Sequence, residues 1–165
     1  MIALVRIAAI GATAALLWTV TASRVPHHVK LARSQVVAGA VMTLPYGCTS
    51  FELEPFDALC PYHHLHTGVD LAAPAGTAVR AADGGTAHVG FDAGGAGLYV
   101  VVVSDGHYRT LYCHLSAALV AEGEDVATGE VIGQVGATGL ATGPHLHFEI
   151  QLNGRPVNPD RWLAS

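Results

Sequence analysis

The stretch Thr142-Gly143-Pro144-His145-Leu146-His147-Phe148-Glu149-Ile150 decides how the chain is read. After the turn residues Gly143 and Pro144, polar and apolar side chains alternate, and alternation is the period of a strand. On such a strand His145 and His147 project from one face, with Glu149 beside them, while Leu146 and Phe148 enter a core on the other. Two neighbouring imidazoles suit zinc, but a metal needs at least three protein donors, so an isolated His-x-His is more often a pair of surface histidines. A second cluster upstream shifts that balance. His66-Thr67-Gly68-Val69-Asp70 sets an imidazole and a carboxylate four positions apart, after His63 and His64 and before the turn-like Ala73-Pro74-Ala75-Gly76.

With Tyr112-Cys113-His114-Leu115 between them, these segments resemble the lysostaphin-type (LytM-like) zinc metalloendopeptidases, the duplicated-hybrid-motif family that cuts peptidoglycan peptides. That family carries His-x-x-x-Asp early, a lone His in a Tyr-x-His-Leu setting midway and a late Gly-Pro-His-Leu-His-Phe-Glu, and all three occur here in that order. The resemblance runs from about Leu44 to Pro159. It implies an all-β fold of mostly antiparallel sheets and one Zn2+ per chain, held by His66, Asp70 and His147. Two imidazoles and a carboxylate leave a fourth tetrahedral position open, as catalytic zinc sites do. It also implies hydrolysis of peptide bonds in peptidoglycan cross-bridges or stems through a zinc-activated water. His114 and His145 would be the catalytic pair, one a general base and the other a donor to the oxyanion or leaving amine, in an order the sequence leaves open.

His63 and His64 compete with His66 on proximity alone, and the family's spacing to Asp70 favours His66. Glu149 is either an acceptor that orients a histidine or a solvated rim carboxylate. Ala141 stands where the family often has Ser, a change that removes no proposed ligand. A catalytically inactive wall-binding or hydrolase-activating module of the same fold is the alternative. Such relatives lose metal-site residues, whereas all five positions are filled here.

The 165 residues leave room for one domain and an appendage. Hydrophobic residues make up 51%, but 19 glycines and 8 prolines break them into short runs, which suits strands and turns. The net charge of -5 and the lack of any basic run exclude a nucleic-acid footprint. Ile7 to Val20 is an uncharged apolar run behind Arg6, a short N-terminal helix nearer in length to a signal-peptide core than to a spanning helix. Residues 1–22 are thus read as a signal peptide or membrane anchor, 23–43 as a linker or a short first helix and strand, and 44–165 as the zinc endopeptidase domain. The expected location is extracytoplasmic: secreted, in the cell wall or membrane-anchored. Cys48 and Cys60 bracket a polar loop just before the His cluster, where an oxidising compartment would permit a disulfide. Cys113, next to His114 on an alternating strand, should face away from it as a small buried filler rather than a nucleophile.

Along the rest of the chain, Asp83-Gly84-Gly85 and Ser104-Asp105-Gly106 punctuate strands. Leu98 to Val103 reads as a strand covered on both faces, and Tyr108, Thr110, Tyr112 and His114 as one face of the strand that returns. A turn of helix is expected at Ser116 to Ala121, and Trp162 is expected to pack on the domain. The glycine-spaced run from Val120 to Gly139 is similar to the hairpin of biotinyl and lipoyl carrier domains. Those carriers need a lysine at the hairpin tip, and the sole lysine is Lys30, so the likeness speaks to fold and not to function.

Overall fold

The structure is a computed structural model that describes residues 31–161 apart from 106. The apolar N-terminal segment and Trp162 lie outside the described residues. Among the described residues, no helix is long and apolar enough to cross a membrane.

A short helix α1 (Arg33–Val36) leads into twelve strands: β1 (Val41–Leu44), β2 (Gly47–Thr49), β3 (His64–His66), β4 (Val69–Ala72), β5 (Ala78–Arg80), β6 (Gly85–Asp92), β7 (Gly97–Val103), β8 (Tyr108–Ala118), β9 (Asp125–Val126), β10 (Val131–Val135), β11 (His145–Leu152) and β12 (Arg155–Val157). A 3-10 turn, Pro159–Arg161, follows. The large sheet runs β1-β4-β11-β8-β7-β6-β9, with β12 paired to β11 and β10 bridging β8 and β5, all antiparallel. β2 and β3 form a separate pair. The mostly antiparallel all-β architecture expected from the sequence is the one observed.

The core lies on one face of the central strands. Leu146, Phe148 and Ile150 of β11 meet Tyr112 and Leu115 of β8, all fully buried. The Phe148 and Tyr112 rings stand 5.3 Å apart. The Tyr112 hydroxyl accepts from Ala82 N (2.7 Å) and donates to Thr110 Oγ1 (3.0 Å), so its burial strands no polar atom. Phe148 and Leu146 therefore anchor β11, and the alternate residues of the same strand are held rigidly on its other face.

Three expectations need correction. The β7 run alternates: Val100 and Val102 are buried, while Val101 and Val103 are only half-buried, so this strand is covered on one face. Ser116 to Ala118 continues β8 instead of starting a helix, because Ala117 and Ala118 pair with Gln134 and Gly133 of β10. Of the two readings of 23–43, the described residues 31–43 take the short helix and strand, and they belong to the packed unit: Val36 and Val37 are buried in the core, and β1 pairs with β4. The folded unit thus reaches back past the boundary expected at Leu44.

Candidate metal centre

Three strands bring the sequence-predicted ligands together. His66 ends β3, the chain turns at Thr67-Gly68, and Asp70 follows on β4. Asp70 lies directly opposite His147 of β11, and His147 lies opposite Cys113 of β8, so the three form a row across one face of the sheet. Gly68 permits the approach. A Cβ there would collide with the Phe148 carbonyl and lie 2.9 Å from His147 Nε2.

The donor atoms converge closely. His66 Nε2 is 3.1 Å from Asp70 Oδ1 and 3.0 Å from His147 Nδ1, and His147 Nδ1 is 3.0 Å from Asp70 Oδ1. The far nitrogens fix the tautomers. His66 Nδ1–H donates to the Pro45 carbonyl (2.9 Å), which leaves Nε2 as a lone pair. His147 Nε2 faces Glu149 Oε2 at 3.6 Å, which favours the proton on that nitrogen. In the metal-free protein a proton between His147 and Asp70 holds the group together; once it is displaced, two lone pairs and a carboxylate oxygen point at one another, an arrangement that suits a cation between them. Tetrahedral zinc with bonds of about 2.0–2.1 Å separates its ligands by roughly 3.4 Å, so the triangle fits zinc after an opening of a few tenths of an ångström. Among the described residues, these are the three that could hold a metal ion.

The electrostatics agree. Burial raises the Asp70 carboxyl, but hydrogen bonds from His147 and His66 outweigh it and hold the group well below the usual carboxylate range. Burial opposes charge on His147 as well, yet bonding to Asp70 and then to Glu149 prevails and pushes it up to about 9. Glu149 is buried and accepts from Thr67 Oγ1 and Gln151 Nε2. It is thus the orienting acceptor rather than a rim carboxylate. Thr67 was not recognised from sequence, where nothing marks a hydroxyl in a turn as the partner of a carboxylate 82 positions away.

His114 and His145 stand beside the triangle, their rings 4.7 Å apart. His114 Nδ1–H donates to the Thr138 carbonyl (2.9 Å) and His145 Nδ1–H to the Gly143 carbonyl (2.8 Å), so both leave Nε2 as the free nitrogen. His145 Nε2 lies 3.8 Å from Asp70 Oδ1. Burial is the main cause holding the His114 pKa below its ordinary value.

His114 reaches this position by breaking the alternation. Its φ is +63°, and β8 carries an extra residue between the pairs Val100–Tyr112 and Leu98–Leu115. This is a β-bulge, a device that re-aims a side chain. Tyr108, Thr110 and Tyr112 keep the core face, whereas His114 joins Cys113 on the wall of the cleft. Cys113 therefore does not face away from His114, as alternation predicted. It is buried as expected, and desolvation pushes its thiol up to about 12, which keeps it from serving as a nucleophile or thiolate ligand.

The other histidines are elsewhere. His63 stacks on Phe56 at 5.7 Å, and His64 Nδ1–H donates to the Glu54 carbonyl (2.7 Å). Cys48 and Cys60 are joined by a disulfide with their Cα atoms 5.3 Å apart, which closes the loop that carries Glu54. A cleft of about 370 Å³ runs past the centre, lined among others by Glu54, Thr67, His114, Leu140, His147 and Glu149.

A mostly antiparallel sheet with a His, Asp, His triangle on one wall defines a metallopeptidase class, and comparison with known proteins agrees. Residues 64–159 match Peptidase family M23. The chain belongs to that family of metallopeptidases. It is 54% identical over 95 residues to the DD-carboxypeptidase/endopeptidase Mpg of Neisseria meningitidis serogroup B, covering 58% of this chain and 22% of the relative. A zinc-containing peptidase from Vibrio cholerae superposes with a TM-score of 0.66 at 32% identity, covering 78% of this chain and 39% of that one. The catalytic domain of lysostaphin from Staphylococcus simulans gives 0.64 at 30% identity, covering 76% and 93%. The chain spans about a fifth of the length of the curated relatives it matches.

Proposed function

We propose that this chain is a zinc metalloendopeptidase that hydrolyses peptide bonds in peptidoglycan cross-bridges or stems outside the cytoplasm. The observation that carries this reading is the convergence of His66 Nε2, Asp70 Oδ1 and His147 Nδ1 within 3.1 Å of one another on the wall of an open cleft. His66, Asp70 and His147 would hold one zinc ion. When bound, zinc supplies a Lewis acid that polarises the scissile carbonyl and brings the pKa of a water toward about 7.

The protein's own residues do the rest. Glu149, braced by Thr67 and Gln151, keeps the His147 ring turned so that Nδ1 faces its fellow ligands. The His114 proton is pinned on Nδ1 by Thr138, so its Nε2 is free to take the proton of an attacking water. His145 Nε2 lies 3.8 Å from Asp70 Oδ1, beside the proposed ligands, which suits it to pass a proton taken up on that nitrogen to the developing oxyanion or the departing amine. No covalent enzyme intermediate is needed, in keeping with a Cys113 thiol that stays protonated.

Digestion of purified peptidoglycan by the zinc-loaded protein, read by mass spectrometry, tests the reading. New free amines at stem or bridge peptides, abolished by a chelator and restored by zinc, are expected. Zinc-loaded protein that releases no amine from any wall fragment would favour the inactive wall-binding module instead.

A further inference from the structure

We infer that Glu54 determines specificity: its carboxylate receives an ammonium group that the peptide carries beside the scissile bond. This rests on the cleavage reading above and adds the chemistry of the substrate. Glu54 lies on the loop closed by Cys48 and Cys60 and lines the cleft together with residues of β8 and β11. It lines the main cleft and also a smaller recess of about 50 Å³ that holds Asp70, His114, His145 and His147.

The loop is built to hold it there. Besides the disulfide, the Glu54 carbonyl accepts from His64 Nδ1 (2.7 Å), and Leu65 N donates to the Pro55 carbonyl (3.0 Å), so β3 fixes both Glu54 and His66. Asp57 N adds a bond to the His63 carbonyl (2.8 Å). Yet among the described residues no side chain or backbone group donates a hydrogen bond to the half-buried Glu54 carboxylate, and of the groups that can carry positive charge only the imidazoles of His66, His147 and His145 act on it through space. Desolvation outweighs those imidazoles and raises its pKa. Glu149, the other carboxylate on the main cleft, is already saturated by Thr67 and Gln151, and the Asp70 carboxylate is engaged by His66 and His147. Among the described residues, neither cavity is lined by Lys or Arg.

A half-buried carboxylate without a hydrogen-bond donor is costly, and an ammonium group would supply both the donor and a further charge. The cleft would thus favour a peptide with a free amine and disfavour one with a carboxylate at that position. The amine can be the side chain of a diamino acid or the N-terminus of a strand, and the two are separable by experiment.

The test uses a synthetic cross-linked stem peptide that bears one free side-chain amine and one free N-terminal amine, and its two mono-acetylated forms. Kd is measured by calorimetry and kcat/KM by chromatography, for the wild type and for Glu54→Gln and Glu54→Asp, each checked for bound zinc and the intact disulfide. The wild type should prefer the free amine over one of the acetylated forms roughly tenfold, mainly in Kd and KM, and the form that loses binding names the amine. Glu54→Gln should erase the preference and Glu54→Asp keep part of it, with zinc content unchanged. No preference in the wild type would overturn the inference, as would a Glu54→Gln effect equal on all three peptides, or faster cleavage of all three, which would make Glu54 an obstruction. If nothing is cleaved but the binding preference holds, the cleavage reading fails and the role of Glu54 in selecting an amine stands.

Discussion

The φ of +63° at His114 is where a single residue separates what local sequence implies from what the site requires. Strict alternation would send this imidazole to the face of Tyr112, into the core. The bulge turns it into the cleft, and Cys113 is the residue whose predicted direction fails as a result. The proposed ligands His66, Asp70 and His147 were named on the family's spacing, and the alternation of His145, Leu146, His147 and Phe148 gave only the shared face of two imidazoles; the bulge and the Thr67 hydroxyl were not legible, since both depend on partners far away in sequence. The roles divide cleanly on substitution. His66→Ala should lose zinc while His63→Ala and His64→Ala keep it, as elemental analysis of the purified variants would show. His114→Ala should keep zinc and lose about 10²–10⁴-fold in kcat, read with a cross-linked peptide. A pH effect follows from His147. Its pKa of about 9 in the metal-free protein means that zinc must displace a proton at neutral pH. Calorimetry in buffers of different ionisation enthalpy should show about one proton released per zinc, and affinity should rise about tenfold per pH unit up to about 9. The same raised pKa stabilises the metal-free fold below the ordinary value of 6.5, and that contribution should fade as pH climbs through 9.

Among the elements, the disulfide loop, β3 and β4 carry Glu54, His66 and Asp70, while β8 and β11 carry His114, His145 and His147. The bond between Cys48 and Cys60 spans 12 positions. Closing a loop of that size contributes about 2–3 kcal/mol by restricting the unfolded chain. Replacing both cysteines by serine should therefore lower stability in urea by about that amount. Zinc content should be retained, because His66 is also held by β2 pairing and by the Pro45 carbonyl. Loss of zinc in that double variant would show that the loop, rather than the strands, positions the ligand. Strands such as β7 and β8 were legible from their β-branched and aromatic runs. Coverage of β7 was misjudged, because four consecutive valines fit a half-covered strand as well as a buried one. The helix expected at Ser116 gave way to pairing with β10, a tertiary contact that local propensity does not register.

For the molecule as a whole, the core and the metal triangle occupy opposite faces of the same strands. Leu146 and Phe148 bury themselves without help from a metal, so the fold should outlast the ion. Chelation should abolish cleavage and lower Tm, yet leave the far-UV circular dichroism of a β protein intact, unlike small zinc domains that unfold on metal loss. All-β class and antiparallel topology were readable from turn punctuation and short apolar runs. The early start of the packed unit was not, since Val36 and Val37 carry no periodic signal and reveal their burial only against the sheet. The most direct test is an anomalous-diffraction map at the zinc edge from crystals of the purified protein. A single peak per chain within about 2.0–2.2 Å of His66 Nε2, Asp70 Oδ1 and His147 Nδ1 is the predicted result. A peak bound elsewhere, at Cys113 or at His63 and His64, or no peak from zinc-loaded protein that still cleaves, would contradict the account.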